Sequence, residues 1–102
     1  MKKYNFNFGT KFQMIVWNII ANIPKGKIMT YQELAIKIGR PKSFRAVASA
    51  CAKNPYVPEI PCHRVVRKDG GLGGYSAKGG IARKKNMLQK EGHKFFKGKI
   101  IF

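Results

Sequence analysis

At 102 residues, 44% of them hydrophobic, the chain has the size of one globular domain, and it contains no unbroken apolar stretch near the ~18 residues of a membrane span. Its 21 Lys and Arg against 4 Asp and Glu give a formal net charge of +17, which excludes an acidic surface and favours a polyanionic partner. The 2 cysteines are too few for a disulfide-held secreted domain, and their spacing does not suggest a zinc site.

These properties lead us to expect one soluble domain over residues 1–102, with no bound metal, no cofactor and no membrane association. We expect it in a reducing compartment, the cytoplasm, associated with the nucleoid in a prokaryote or in the nucleus of a eukaryote. A ribosomal or chromatin-type packing protein would carry a similar charge, and charge does not separate DNA from RNA.

The first predicted helix begins with a capping box. Thr10-Lys-Phe-Gln13 supplies a hydroxyl for the N-cap and an amide three residues later that can reach back. The apolar residues that follow at helical spacing, before Pro24 and Gly26, are Phe12, Ile15, Val16, Ile19, Ile20 and Ile23. We interpret this stripe as core.

Two further helices are predicted to form a helix-turn-helix. Residues 27–31 could be extended, and Thr30-Tyr-Gln-Glu33 is a second capping box that opens a helix capped at its end by Gly39. After the turn, a helix over residues 43–54 is rich in small side chains. Such a helix can enter a groove closely or pack tightly inside the domain, and both can hold on opposite faces.

The second half of the chain has mixed patterns. Three prolines between residues 55 and 61 exclude a regular helix, whereas Ile60, Val65 and Val66 favour extended structure. The Gly-rich residues 69–80 predict a wing or an adaptable loop. A last helix is predicted over residues 81–91, with Ile81, Lys84 or Lys85 and Leu88 at helical spacing, followed by a basic and apolar tail.

One string carries a sharp chemical meaning, Ile60-Pro-Cys-His-Arg-Val-Val66. It places a thiol, an imidazole and a guanidinium in consecutive positions, and cationic neighbours or a histidine base raise the reactive thiolate fraction. Neighbours in an extended chain point to opposite sides, so His63 would reach Cys62 through a turn or a bridging water. A Cys-His pair alone is more often structural than catalytic.

The whole string resembles the Pro-Cys-His-Arg-Val active-site signature of the O6-alkylguanine-DNA alkyltransferases, also called methylated-DNA-protein cysteine methyltransferases. The similarity extends over residues 9–93 and includes, in the family's order, Thr30-Tyr-Gln-Glu-Leu-Ala35, Arg45-Ala-Val-Ala-Ser-Ala50, Asn54-Pro55, Gly74-Tyr75 and Lys90-Glu-Gly92. The resemblance implies a C-terminal catalytic domain without the family's N-terminal domain. Its fold would be mainly α (α+β), a winged helix-turn-helix with a short β/Gly-rich wing.

The resemblance also implies roles at the reacting thiol. Cys62 matches the alkyl acceptor, His63 the base that acts through water, and Glu91 the carboxylate that orients the histidine. Asn54 matches the asparagine that braces the turn under the active site, and Tyr31 the tyrosine that crowds the neighbouring phosphate.

The resemblance places duplex DNA containing O6-alkylguanine on the second helix of the motif. Arg45 matches the arginine that fills the space left when guanine rotates out of the stack. The expected DNA-contacting residues are Tyr31, Arg45, Ala46, Ser49 and Arg64. The expected pocket for the extruded base consists of Val65, Tyr75 and Ser76. The thioether formed at Cys62 has no evident route back to the thiol, so each protein molecule would act once. We expect the protein to be a monomer.

Two alternatives remain open from the residues. Alkyltransferase-like lesion sensors share the fold and the arginine but lack the acceptor cysteine, and they are short chains like this one. A basic winged-helix regulator would bind duplex DNA without chemistry, but it gives no reason for Cys62, His63 and Glu91 to occur together.

Overall fold

The computed structural model describes residues 9–56, 59–73 and 79–102, and in these ranges helices predominate over short strands. The elements are α1 (Lys11–Ala21), β1 (Met29–Thr30), α2 (Tyr31–Lys37), α3 (Phe44–Ala52), a 3-10 turn (Cys62–Arg64), β2 (Val65–Val66), α4 (Gly80–Lys90), β3 (Phe95–Phe96) and β4 (Lys99–Ile100). The predicted helix-rich α+β class is confirmed. Among the described residues, no helix is both long and apolar enough to cross a membrane.

Helix α1 begins at its predicted cap. The Gln13 amide N–H donates to the Thr10 hydroxyl (3.1 Å), and the Thr10 N–H donates to the Gln13 side chain (2.8 Å). The stripe was wrong in two places: Ile15 is 44% exposed, whereas Trp17 is fully buried. The indole N–H of Trp17 explains its burial, because it donates to the Ala50 carbonyl of α3 (2.9 Å).

Helices α2 and α3 form the predicted helix-turn-helix. The second capping box is present, since the Glu33 N–H donates to the Thr30 hydroxyl (3.0 Å). Gly39 adopts φ +80°, a conformation that favours glycine, and closes α2 by donating to the Ile36 carbonyl (3.0 Å). Helix α3 ends at Ala52, earlier than predicted.

Helix α3 has the two faces expected of a small-residue helix. It packs against both α1 and α2, burying Val47, Ala50 and Cys51. Its opposite side exposes Arg45, Ala46 and Ser49. Small residues therefore allow close packing on one side of α3 and leave little side-chain bulk on the exposed side.

A short parallel ladder joins the two halves of the domain. Met29 pairs with Val65 and Thr30 with Val66. Because α2 starts directly after β1 and the 3-10 turn ends directly before β2, this ladder fixes the Cys62–Arg64 turn beside the helix-turn-helix.

The second half has its own small core of Val66, Leu72, Leu88 and Ile100. In α4 the side chain of Ile81, which lies at helical spacing from the buried Leu88, is 55% exposed. The tail forms a hairpin in which Phe95 pairs with Ile100, and its turn residues Lys97 and Gly98 both have positive φ. Residues 74–78, five of the twelve residues of the predicted wing, lie outside the described residues.

Candidate active site

Cys62 opens the 3-10 turn, and its side chain is buried. The Asn54 amide N–H donates to the Cys62 Sγ (3.1 Å), and the Cys62 thiol lies 3.5 Å from the Cys51 carbonyl that it can donate to. A hydrogen bond from the Cys51 side chain, with further contributions from Asn54 and Lys84, outweighs burial and lowers the pKa of Cys62. The thiol of Cys51 keeps its proton, because that same hydrogen bond and burial raise its pKa. Cys62 is thus the thiol that ionises first.

Asn54 connects the end of α3 to the segment that carries the cysteine. Besides contacting the sulfur, its Nδ2 donates to the Ile60 carbonyl (2.9 Å), and its Oδ1 accepts the Tyr56 N–H (2.8 Å). Its side chain is buried. These hydrogen bonds hold the segment that carries Cys62 against the end of α3.

His63 lies against Glu91 at the end of α4. The His63 Nε2 is 3.0 Å from the Glu91 Oε2, and since an ionised carboxylate only accepts, we assign the ring proton to Nε2. Burial lowers the pKa of His63 despite the neighbouring carboxylate, so the ring is neutral near pH 7. The His63 Nδ1 is buried and has no hydrogen-bond partner among the described residues. A neutral imidazole with a free acceptor nitrogen can take up a proton.

Arg64 is bound inside the protein. Its Nη2 and Nε contact the two Glu91 carboxylate oxygens (2.7 and 3.0 Å), and its Nη1 donates to the Ile23 carbonyl (2.7 Å). Burial would raise the pKa of Glu91, but hydrogen bonds from Arg64 and His63 lower it to about 2. All three guanidinium nitrogens thus have partners inside the protein, on Glu91 and on the Ile23 carbonyl just beyond α1, whereas the DNA contact expected of Arg64 stays a prediction.

Lys84 is a site residue that the sequence analysis missed. Its side chain is fully buried, and its Nζ donates to the carbonyls of Val65 (2.7 Å) and Leu72. The ammonium also lies 5.8 Å from the centre of the Tyr31 ring. Burial lowers the pKa of Lys84 to about 8. Its spacing of four residues from buried Leu88 is compatible with an inward position, but the neighbouring Lys85 fits the same helical stripe.

An open cavity of about 440 Å³ lies between α3 and the loop that follows β2. It is lined by Tyr31, Gln32, Phe44, Arg45, Ala48, Ala52, Arg67, Lys68, Asp69 and Gly73. A side chain at Gly73 would meet the Tyr31 hydroxyl at 2.8 Å, so glycine allows the loop to approach the tyrosine closely. We name this cavity the α3 groove. It brings together Tyr31 and Arg45, two of the residues predicted to contact DNA.

The predicted base pocket is only partly described. Val65 is fully buried in the core and is not among the residues that line the α3 groove, so its place in the base pocket stays a prediction. The burial follows from its pairing with Met29 in the parallel ladder. Tyr75 and Ser76 lie outside the described residues. Cys62 is 5% exposed, and it is not among the described residues that line the α3 groove.

The family model described as "6-O-methylguanine DNA methyltransferase, DNA binding domain" matches residues 11–93. The chain belongs to this family. The methylated-DNA–protein-cysteine methyltransferase of Salmonella typhimurium is 45% identical over 85 residues, a match that covers 83% of this chain and 48% of that protein. The chain spans between about a quarter and a half of the length of the curated relatives that it matches.

Solved structures agree with this family assignment. Mycobacterium tuberculosis OGT in complex with DNA is 39% identical with a TM-score of 0.78, covering 89% of this chain and 57% of that chain. S. pombe Atl1, in complex with damaged DNA containing O6-carboxymethylguanine, is 29% identical with a TM-score of 0.73, covering 88% of this chain and 86% of that chain.

Proposed function

We propose that residues 1–102 form a catalytic domain, of the C-terminal type, of a methylated-DNA–protein-cysteine methyltransferase, and that Cys62 accepts the alkyl group of O6-alkylguanine in duplex DNA. The observation that carries the proposal is the buried Cys62 sulfur with a hydrogen bond from Asn54 (3.1 Å), next to the His63–Glu91 pair. The name of the Salmonella relative supports the reaction class. The protein would act where the cell keeps its DNA, in a prokaryotic cytoplasm or a eukaryotic nucleus.

Duplex DNA would lie on the exposed face of α3. The O6 atom of a stacked guanine is out of reach of a protein thiol, so the base must leave the stack, at a cost of a few kcal/mol. Arg45 is exposed and borders the α3 groove, where its guanidinium could occupy the vacated space. Ala46 and Ser49 lie on the same exposed face, and their small side chains would let the backbone of α3 approach a groove of the DNA closely. Tyr31 at the groove wall would face a neighbouring phosphate.

The transfer is a single displacement. Proton loss from Cys62, through water to the free Nδ1 of His63, gives the thiolate, and Glu91 on Nε2 stabilises the imidazolium that results. The sulfur attacks the alkyl carbon, the S–C bond forms, and the C–O6 bond breaks with its electron pair on O6. In this proposal Tyr75 delivers a proton to the leaving guanine and Ser76 donates a hydrogen bond near O6. The thioether product does not regenerate the thiol.

Intact-mass measurement after incubation with an O6-methylguanine duplex tests the proposal. Wild type is expected to gain one methyl group, mapped to Cys62 by peptide fragmentation, with no turnover beyond one equivalent. The variant Cys62→Ala is the control and should bind the duplex but gain no mass. A wild-type protein that binds the lesion and stays unmodified would refute methyl transfer.

That outcome would favour the second candidate, a lesion sensor without chemistry. The similarity to S. pombe Atl1 over 86% of that chain is the specific observation in its favour. The acceptor thiol and its hydrogen bond from Asn54 favour transfer, because a sensor has no need of an ionisable sulfur at this position.

A further inference from the structure

The hairpin formed by β3 and β4 lies beyond residues 11–93, which the family model matches, and it is fastened to the rest of the domain. The Ile100 N–H donates to the Gly70 carbonyl (2.8 Å), and the Ile101 N–H donates to the Lys94 carbonyl (2.8 Å). The Ile100 side chain is buried in the second core. These contacts hold the chain after β4 in a fixed position beside the loop of residues 67–71.

From its contact with Gly70, the segment after β4 runs toward the amino end of α2. Phe102 borders a second open cavity of about 390 Å³, together with Lys68 and Ile36. Gln32 and Lys68 line both this cavity and the α3 groove, so the two are neighbours that share a rim. A duplex seated on the α3 groove would have its backbone within reach of Phe102.

The chemistry of this neighbouring surface suits a DNA backbone. Lys68 lines both cavities, and the exposed Lys99 lies beside Gly70, where an added Cβ would be 3.3 Å from the Lys99 Cβ. Of the nearby carboxylates, Asp69 is paired with Arg67 (2.9 Å), whereas Glu33 accepts the Thr30 N–H (2.9 Å) and keeps its negative charge. The apolar side chains Phe102 and Ile36 are 69% and 63% exposed. Lysines attract phosphates, and apolar side chains can pack against the deoxyribose between them.

We propose that Lys68, Lys99, Ile36 and Phe102, which we name the hairpin edge, contact the sugar-phosphate backbone of duplex DNA beside the α3 groove. The inference rests on the proposed function, since it requires duplex DNA on α3. It adds a second contact surface to which Lys99 and Phe102, beyond the matched residues 11–93, contribute, and it predicts affinity without a role in the chemistry.

The test is the salt dependence of binding to an undamaged fluorescent duplex, measured by anisotropy between 50 and 200 mM salt. The double variant Lys68→Gln/Lys99→Gln removes two phosphate contacts. The negative slope of log K against log salt should therefore become less steep, by about 1.8. Over this range the variant should therefore lose about tenfold less affinity than wild type. The charge-matched control Lys25→Gln/Lys90→Gln replaces two exposed lysines that line neither cavity and should keep the wild-type slope.

Phe102→Ala should weaken binding several-fold, whereas the matched control Phe96→Ala, which removes a ring of similar exposure (65%) outside both cavities, should not. The single-turnover rate of methyl transfer at saturating DNA should be unchanged in Phe102→Ala, because Phe102 does not line the α3 groove. Equal slopes for the edge variant and wild type, with Arg45→Ala still weakening binding, would overturn the hairpin edge and leave the proposed function standing. A wild-type protein that neither binds duplex DNA nor accepts methyl would overturn both.

Discussion

Lys84 places an ammonium in the interior of the domain, and its effect on stability can be worked out from the structure. The side chain is fully exposed to solvent only when the chain unfolds, and burial lowers its pKa in the folded state from 10.5 to about 8. Between these values the folded protein carries neutral Lys84 while the unfolded chain carries the ammonium. Unfolding therefore takes up a proton, and the free energy of unfolding rises with pH in this window.

The size of this effect follows from the two pKa values. Below pH 8 the ammonium must be buried on folding and its cost is fully present, whereas above 10.5 that cost is gone. The difference corresponds to about 3 kcal/mol. We expect the free energy of unfolding of wild type, relative to that of Lys84→Met, to rise by about this amount from pH 7 to pH 10.5.

Urea denaturation of wild type and Lys84→Met across this pH range measures the difference. Groups that ionise at high pH away from Lys84 are present in both proteins, so their contributions largely cancel. Because Lys84 also lowers the pKa of Cys62, both proteins are compared in a Cys62→Ala background. Lys84→Met also leaves the Val65 and Leu72 carbonyls without their donor. This loss changes the free energy of unfolding by the same amount at every pH, so it does not alter the dependence on pH. Lys85→Met, a change at the exposed neighbour, should run parallel to wild type. A difference that stays flat with pH would refute the buried ammonium.

Two further variants test the site itself. Asn54→Ala strands the Ile60 carbonyl and the Tyr56 N–H, so it should cost about 2 kcal/mol or more in urea denaturation. It should also raise the pKa of Cys62, followed by thiolate absorbance against pH, and an unchanged thiol titration would contradict the role of the Asn54 N–H. Arg45→Lys should slow single-turnover transfer while retaining most affinity for undamaged duplex, because an ammonium fills a gap between bases less well than a planar guanidinium. Equal rates would remove Arg45 from base extrusion.

The features predicted correctly from the sequence are those set by neighbours along the chain. Both capping boxes involve residues three apart, and both are present as predicted. The hairpin of β3 and β4 was missed because Lys97-Gly98 is a weak turn signal compared with Asn-Gly. The hydrogen bond that fastens this hairpin to the rest of the domain, from the Ile100 N–H to the Gly70 carbonyl, joins residues too distant in sequence for any periodicity to reveal.

The candidate site shows the same division. Arg64 was assigned to DNA because a basic residue beside a nucleophile looks free in sequence, yet it binds Glu91, 27 residues away. Lys84 and Lys85 fitted the helical stripe equally well, and lysine is rarely buried, so the pattern could not distinguish them. Only the packing of α4 against the 3-10 turn decides that Lys84 is the inward residue.

The acidity of Cys62 is therefore a property of the fold more than of its signature string. The three groups that lower the pKa of Cys62 are Cys51 inside α3, Asn54 just beyond its end, and Lys84 on α4. None belongs to the string Pro61-Cys-His-Arg-Val-Val66, whose His63 is directed to Glu91. The helix that presents Arg45 to the solvent thus carries, on its other face and at its end, two of the groups that prepare the thiol. A change inside α3 can alter the nucleophile without touching a single residue of the string.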